Sequence, residues 1–135
     1  MTRRPLTPIA AAGAALVLAA GASASMMHPE LGARLSGMGD HGVVNLQLTA
    51  SSGKVCWTFE LPSGLGATSA AIHAGAHGPT LLELGMHYTH SGCESESKMT
   101  VEHLEAKPGS YTVWVNTKAH MGELRGTLFA GMAHM

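Results

Sequence analysis

The octapeptide KVCWTFEL, residues 54–61, decides how this chain is read. Val55, Trp57, Phe59 and Leu61 alternate with Lys54, Cys56, Thr58 and Glu60, so an apolar set interleaves with a polar one at a period of two. Successive side chains of a β-strand point to opposite faces. The segment is therefore expected to be a strand with Trp57 and Phe59 in a core and Cys56 turned to the outside.

The same period extends in both directions. GVVNLQLT (residues 42–49) sets Val44, Leu46 and Leu48 against Val43, Asn45 and Gln47, and SSG (51–53) reads as a tight hairpin loop between the two strands. TSAAIH (68–73), TLLEL (80–84), SYTVWVNT (110–117) and ELRGTLFA (123–130) continue the pattern, with KAHMG (118–122) as a second hairpin-like link. A helical turn fits residues 99–104, where Val101 and Leu104 precede the stop signal Pro108-Gly109. Short alternating segments broken by turn residues predict an all-β sandwich or barrel.

Within AAIHAGAHGPTLLEL (70–84), His73 and His77 are four apart, a spacing that aligns two imidazoles only on a helix. Gly75 and the Gly78-Pro79 break oppose a helix, so we read a strand ending near His73, a turn and a short apolar strand. The spacing does not by itself make a metal site.

The ends of the chain set its address. Arg3 and Arg4, an apolar run over residues 9–20, and Ala22-Ser23-Ala24 have the order of a secretory signal peptide, with cleavage after Ala24 or Ser25. The run is short for a membrane span, which needs roughly 20 apolar residues. The expected organisation is a signal peptide at 1–24, a flexible segment at 25–32, one domain at 33–131 and a frayed tail at 132–135. The product would be secreted or periplasmic, with no transmembrane anchor after processing.

Without Arg3 and Arg4 the eight basic residues fall to six, against nine acidic ones, and they form no run. Nucleic acid is thereby an unsuited partner. Two cysteines, Cys56 and Cys93, in an oxidising compartment most simply form one disulfide. Without C-x-x-C spacing, a thiolate metal or redox site is the weaker alternative. With Cys56 facing outward, the bridge is expected to pin the polar segment 85–98 across the outside of a sheet.

Six motifs in order over most of the exported part resemble the chordin-type (CHRD) domain, a family of bacterial exported proteins and animal chordins. They are ARLSG (33–37), GKVCW (53–57), AAIHAGAHGP (70–79), GC (92–93), KPGSYTVWVNT (107–117) and GELRGTL (122–128). The resemblance implies an immunoglobulin-like or superoxide-dismutase-like antiparallel β-sandwich of Greek-key type. Family positions that carry histidine are only partly kept: the first of the H-I-H pair is Ala71 and the second is His73, while the histidine of the later V-H-T strand is Asn116, preceded at 114 by tryptophan. One imidazole beside an asparagine is a poor zinc or copper site, which needs three or four ligands. His73 is thus expected to be a hydrogen-bonded structural residue, with a metal role as the alternative.

Histidine and methionine, nine of each in the whole chain, keep copper in view. Candidate clusters are residues 26–28, 85–90, 120–121 and 133–135. Cleavage after Ser25 would make His28 the third residue of a free amino terminus, able to hold Cu(II) or Ni(II) in a square plane. The expected reading is instead that these residues are flexible ends and surface loops, with methionine filling core gaps. Arg125 is expected to be an edge charge protecting its strand, with Glu60 and Glu123 as candidate partners. No nucleophile elbow, phosphate loop, zinc-protease motif or paired-carboxylate signature occurs, and the incomplete H-x-H pair argues against dismutase chemistry. The sequence therefore predicts a non-catalytic binding or structural module at the cell exterior, with no cofactor and an unknown extracellular ligand or protein partner. The alternative is an exported copper- or zinc-binding protein.

Overall fold

A computed structural model of the chain describes residues 29–135. The expected signal peptide, its cleavage site at Ala22 to Ala24 or Ser25, and His28 lie outside the described residues.

Nine strands form among the described residues: β1 (Glu30–Gly37), β2 (Asp40–Thr49), β3 (Lys54–Glu60), β4 (Ala67–Ala74), β5 (Thr80–Glu83), β6 (Ser91–Ser95), β7 (Tyr111–Thr117), β8 (Leu124–Thr127) and β9 (Phe129–Ala130). One helix, α1 (Lys98–Ala106), and a 3-10 turn (Pro108–Ser110) separate β6 from β7. The strands pair in one antiparallel sheet in the order β5-β4-β7-β8-β1-β2-β3-β6, with β9 beside β1. The all-β reading holds.

The outermost strands of that order, β5 and β6, are consecutive in sequence, and this forces the sheet to curl. Eight residue steps separate Glu83 from Ser91, a reach of about 28 Å when fully extended. Eight strands laid flat would need about 34 Å from edge to edge. Segment 84–90 is tied to both ends: Leu84 N–H and Tyr88 N–H donate to the carbonyls of Ala70 and Thr68 in β4 (2.9 Å each), while Phe59 N–H in β3 donates to His90 O (2.8 Å). The result is a curled half-barrel whose inner surface is the core.

That core holds the alternating residues read from the sequence. Val44, Leu46, Val55, Trp57, Phe59, Ile72, Val113 and Val115 are buried. Segment 84–90 adds the Tyr88 ring against Phe59, centroids 5.4 Å apart, and burial pushes the Tyr88 phenol above its ordinary pKa. Helix α1 is longer than the turn expected at 99–104. Ser97 caps it by accepting from Thr100 N–H (3.1 Å), and Val101 and Leu104 are its buried apolar residues.

The disulfide links directly opposed residues of β3 and β6, the pair Cys56↔Cys93. Val55 and Trp57 on either side of Cys56 are buried while Cys93 is exposed, so the bridge lies on the outer surface as the alternation requires. Segment 91–95 is not the loop expected of it; backbone pairing to β3 makes it an edge strand without a single buried side chain.

The ends of the domain also differ from expectation. Of the segment 25–32 read as flexible, Glu30 to Gly32 already pair in β1. The tail is docked: the Asn45 side-chain amide donates to Ala133 O (3.1 Å) and accepts from Ala133 N–H (2.6 Å), copying a strand pairing. Gly32, opposite Asn45, leaves room, since a Cβ there would overlap the Ala133 backbone. Ala133 is only 3% exposed, and Val43, on the nominally outer face of β2, is only 2% exposed and lines a groove with His134 and Met135 of the tail. No helix among the described residues is long and apolar enough to cross a membrane.

Candidate functional site

The positions singled out by the family resemblance do converge. Strand register sets Ala71 of β4 opposite Trp114 of β7, and Ser69 opposite Asn116; on the other side of β7, Trp114 faces Arg125 of β8. These side chains share the outer surface, because Val113 and Val115 take the inner one. The indole of Trp114 stacks with the His73 ring, centroids 4.0 Å apart at 18°, and carries the Arg125 guanidinium 3.9 Å from its ring centre.

Each polar group in this stack has a definite partner. His73 Nδ1–H donates to Gly78 O at 3.0 Å, which places its proton on Nδ1. Arg125 Nε–H donates to Gly122 O (3.2 Å), and its Nη1 donates to His77 Nδ1 (3.1 Å). An arginine can only donate, so His77 Nδ1 is the acceptor. His73 and His77 thus reach the same indole–guanidinium pair, His73 by stacking on the indole and His77 by accepting from the guanidinium, and not as two ligands of one ion. Among the described residues, no three His, Cys, Asp or Glu side chains gather into a metal-holding group. The Trp114 Nε1–H is shielded from solvent and meets no acceptor among the described residues.

Arg125 is therefore not the strand-edge charge expected. Its strand lies inside the sheet order, between β7 and β1, and its guanidinium rests on an aromatic face. Glu123, one of the two candidate partners, instead accepts from Thr117 Oγ1 (2.9 Å).

Beside the stack opens a groove of about 370 Å³ lined by Met38, His120, Met121, Glu123 and Arg125, among others. The loop 117–122 on its one wall is pinned by one backbone bond and by the side chains of Thr117 and Asn116. Thr117 N–H donates to His120 O (2.9 Å), His120 N–H to Thr117 Oγ1 (3.1 Å) and Gly122 N–H to Asn116 Oδ1 (2.5 Å). The facing wall is the β1–β2 hairpin, whose two-residue loop is Met38-Gly39 with φ of 53° and 83°. Two positive φ values suit a primed hairpin turn, which favours Asn-Gly or Gly-Gly. Methionine there costs about 1–2 kcal/mol of local backbone energy, yet its side chain is 66% exposed and returns little packing. A second groove of about 410 Å³ brings His41 of β2 next to His134 and Met135 of the docked tail.

The methionines lie at the surface, as expected for loops and chain ends, and none of the described ones fills a core gap. All six described ones, Met38, Met86, Met99, Met121, Met132 and Met135, are exposed, and they are the whole set of large exposed apolar side chains among the described residues. Every one has a histidine within four residues: His41, His87, His103, His120 and, for the last two, His134. Met99 and His103, four apart in α1, share a helix face. Sequence reading found the pairs at 85–90, 120–121 and 133–135 but passed over Met38 with His41, and Met99 with His103. The Gly-Met-Gly run at 37–39, a turn with the wrong residue in it, was the available signal.

No family model and no curated protein matches the chain.

Proposed function

We propose that this chain is an exported, non-catalytic binding module of the chordin-type resemblance, and that the ligand it handles is copper in its soft, monovalent state. One observation carries the reading: the described methionines are all at the surface, and each lies within four residues of a histidine in the sequence. Thioether sulfur selects Cu(I), and imidazole is a good companion ligand. Sacrificial oxidation would call for exposed sulfur alone; the adjacent histidines point to a metal.

Two further features support copper over zinc. Both cysteines are committed to the disulfide, so thioethers are the sulfur ligands left over. Zinc favours thiolate, imidazole and carboxylate in sets of four, whereas methionine is a neutral soft donor that suits a monovalent ion. The disulfide fits the oxidising compartment implied by the expected signal peptide. The curled antiparallel sheet is compatible with the immunoglobulin-like or dismutase-like sandwich that the resemblance implies, with opposite halves of one sheet acting as its two layers.

Competition for Cu(I) against a chromophoric chelator under anaerobic conditions tests the reading. The protein should withdraw at least one equivalent, and its thermal midpoint should rise with Cu(I) and fall again on chelation. Copper affinity no better than that of an unfolded control peptide of the same composition would overturn it. A second reading, docking of a protein or glycan partner on the outer face, is favoured by the Trp114–Arg125 pair and its unsatisfied indole N–H. It predicts that Trp114→Ala abolishes partner capture while Cu(I) competition stays unchanged.

A further inference from the structure

We propose that Met38, His120 and Met121 form a single Cu(I) site in the groove between the β1–β2 hairpin and the β7–β8 loop; the proposal rests on the copper reading above. Three donors, two thioethers and one imidazole, line one cavity from two walls. Soft neutral donors of this kind select Cu(I) over harder divalent ions.

The structure holds both walls in place. Ser36 of β1 pairs with Arg125 of β8, and a Cβ on Gly37 would overlap the Glu123 carbonyl oxygen, so the hairpin tip and the loop are in close contact. His120 and Met121 are carried by a backbone bonded at Thr117 and Asn116, which fixes where their side chains start while leaving Met121 77% exposed. The charged groups of the groove offset one another: Arg125 is drawn onto Trp114 and Gly122, and Glu123 supplies a compensating carboxylate. A monovalent ion therefore meets little net repulsion.

Met38 supplies the independent sign of function. It occupies a left-handed backbone position that favours glycine or asparagine, without burying its side chain. Unfavourable backbone held at an exposed site points to a use for the side chain. The second groove offers only one thioether, on the carboxyl-terminal segment.

The test compares Cu(I) affinity and thermal midpoint for wild type, Met38→Asn, His120→Ala and Met121→Leu. Asparagine suits the turn, so Met38→Asn should raise the midpoint by a few degrees while weakening Cu(I) binding by about tenfold or more. His120→Ala and Met121→Leu should weaken binding similarly with the fold intact. Ag(I), a redox-inert soft probe, should follow the same order. Wild-type binding with all three variants unaffected sinks this site and leaves the copper reading standing. Absence of Cu(I) binding by the wild type sinks both.

Discussion

Replacing Cys56 and Cys93 together by alanine removes the covalent link between β3 and the edge strand β6. The two residues are 37 apart in sequence. Opening a loop of that length frees the unfolded chain by about 4 kcal/mol on the chain-entropy account. The sheet offers little in return, because none of the β6 side chains is buried. For a domain of this size the urea slope is about 1–1.5 kcal/mol/M, so the midpoint should fall by about 3 M. Equilibrium urea unfolding, followed by far-UV circular dichroism, measures this directly. Hydrogen exchange should show β6 amides losing protection before those of β1 and β2. A midpoint shift under about 0.7 M, corresponding to roughly 1 kcal/mol, would refute the reasoning. It would mean that backbone pairing and the ties of segment 84–90 hold this edge without the bridge.

Three other perturbations probe separate parts of the fold. Asn45→Ala removes both bonds to Ala133 and should cost about 2 kcal/mol; deletion of residues 132–135 should then add almost nothing, which a double-mutant cycle in urea reads out. Gly126→Ala places a Cβ onto the Arg34 carbonyl and should lower stability by about 1–3 kcal/mol in thermal melts. For Tyr88, burial favours the neutral phenol, so its pKa in the folded protein lies above the ordinary 10.0. The corresponding stability is fully present below pH 10.0 and is lost as pH rises through the higher folded value. Absorbance titration of a Tyr111→Phe variant isolates Tyr88, and ionisation at the ordinary value in the native state would contradict its burial.

Much of the fold was legible wherever one face of a strand is dry and the other wet. Residues 54–61 announce their inner face through Trp57 and Phe59, and the outward disulfide follows from the same alternation. β6 was not legible, because both of its faces are polar or small and its pairing is made by backbone alone. The docked tail escaped notice for a related reason. Its anchor is a side-chain amide, Asn45, meeting a backbone across a glycine, and neither residue signals that from spacing. His73 was legible as a hydrogen-bonded residue, but the Trp114–Arg125 stack needed the strand register. The surface placement of the clustered methionines was legible from their loops and chain ends, whereas their absence from the core among the described residues was not, because hydrophobicity alone does not separate a core methionine from an exposed one.

The most direct test of a soft-metal module is to watch the methionine methyl groups themselves. In protein labelled with ¹³C at the methionine methyls and titrated with Ag(I), the resonances of Met38 and Met121 should move together and saturate at one equivalent, accompanied by the ring of His120. If no methionine methyl responds to silver, or if all of them drift in parallel without saturating, the soft-metal account is wrong; saturable shifts confined to other methionines would contradict the groove site alone.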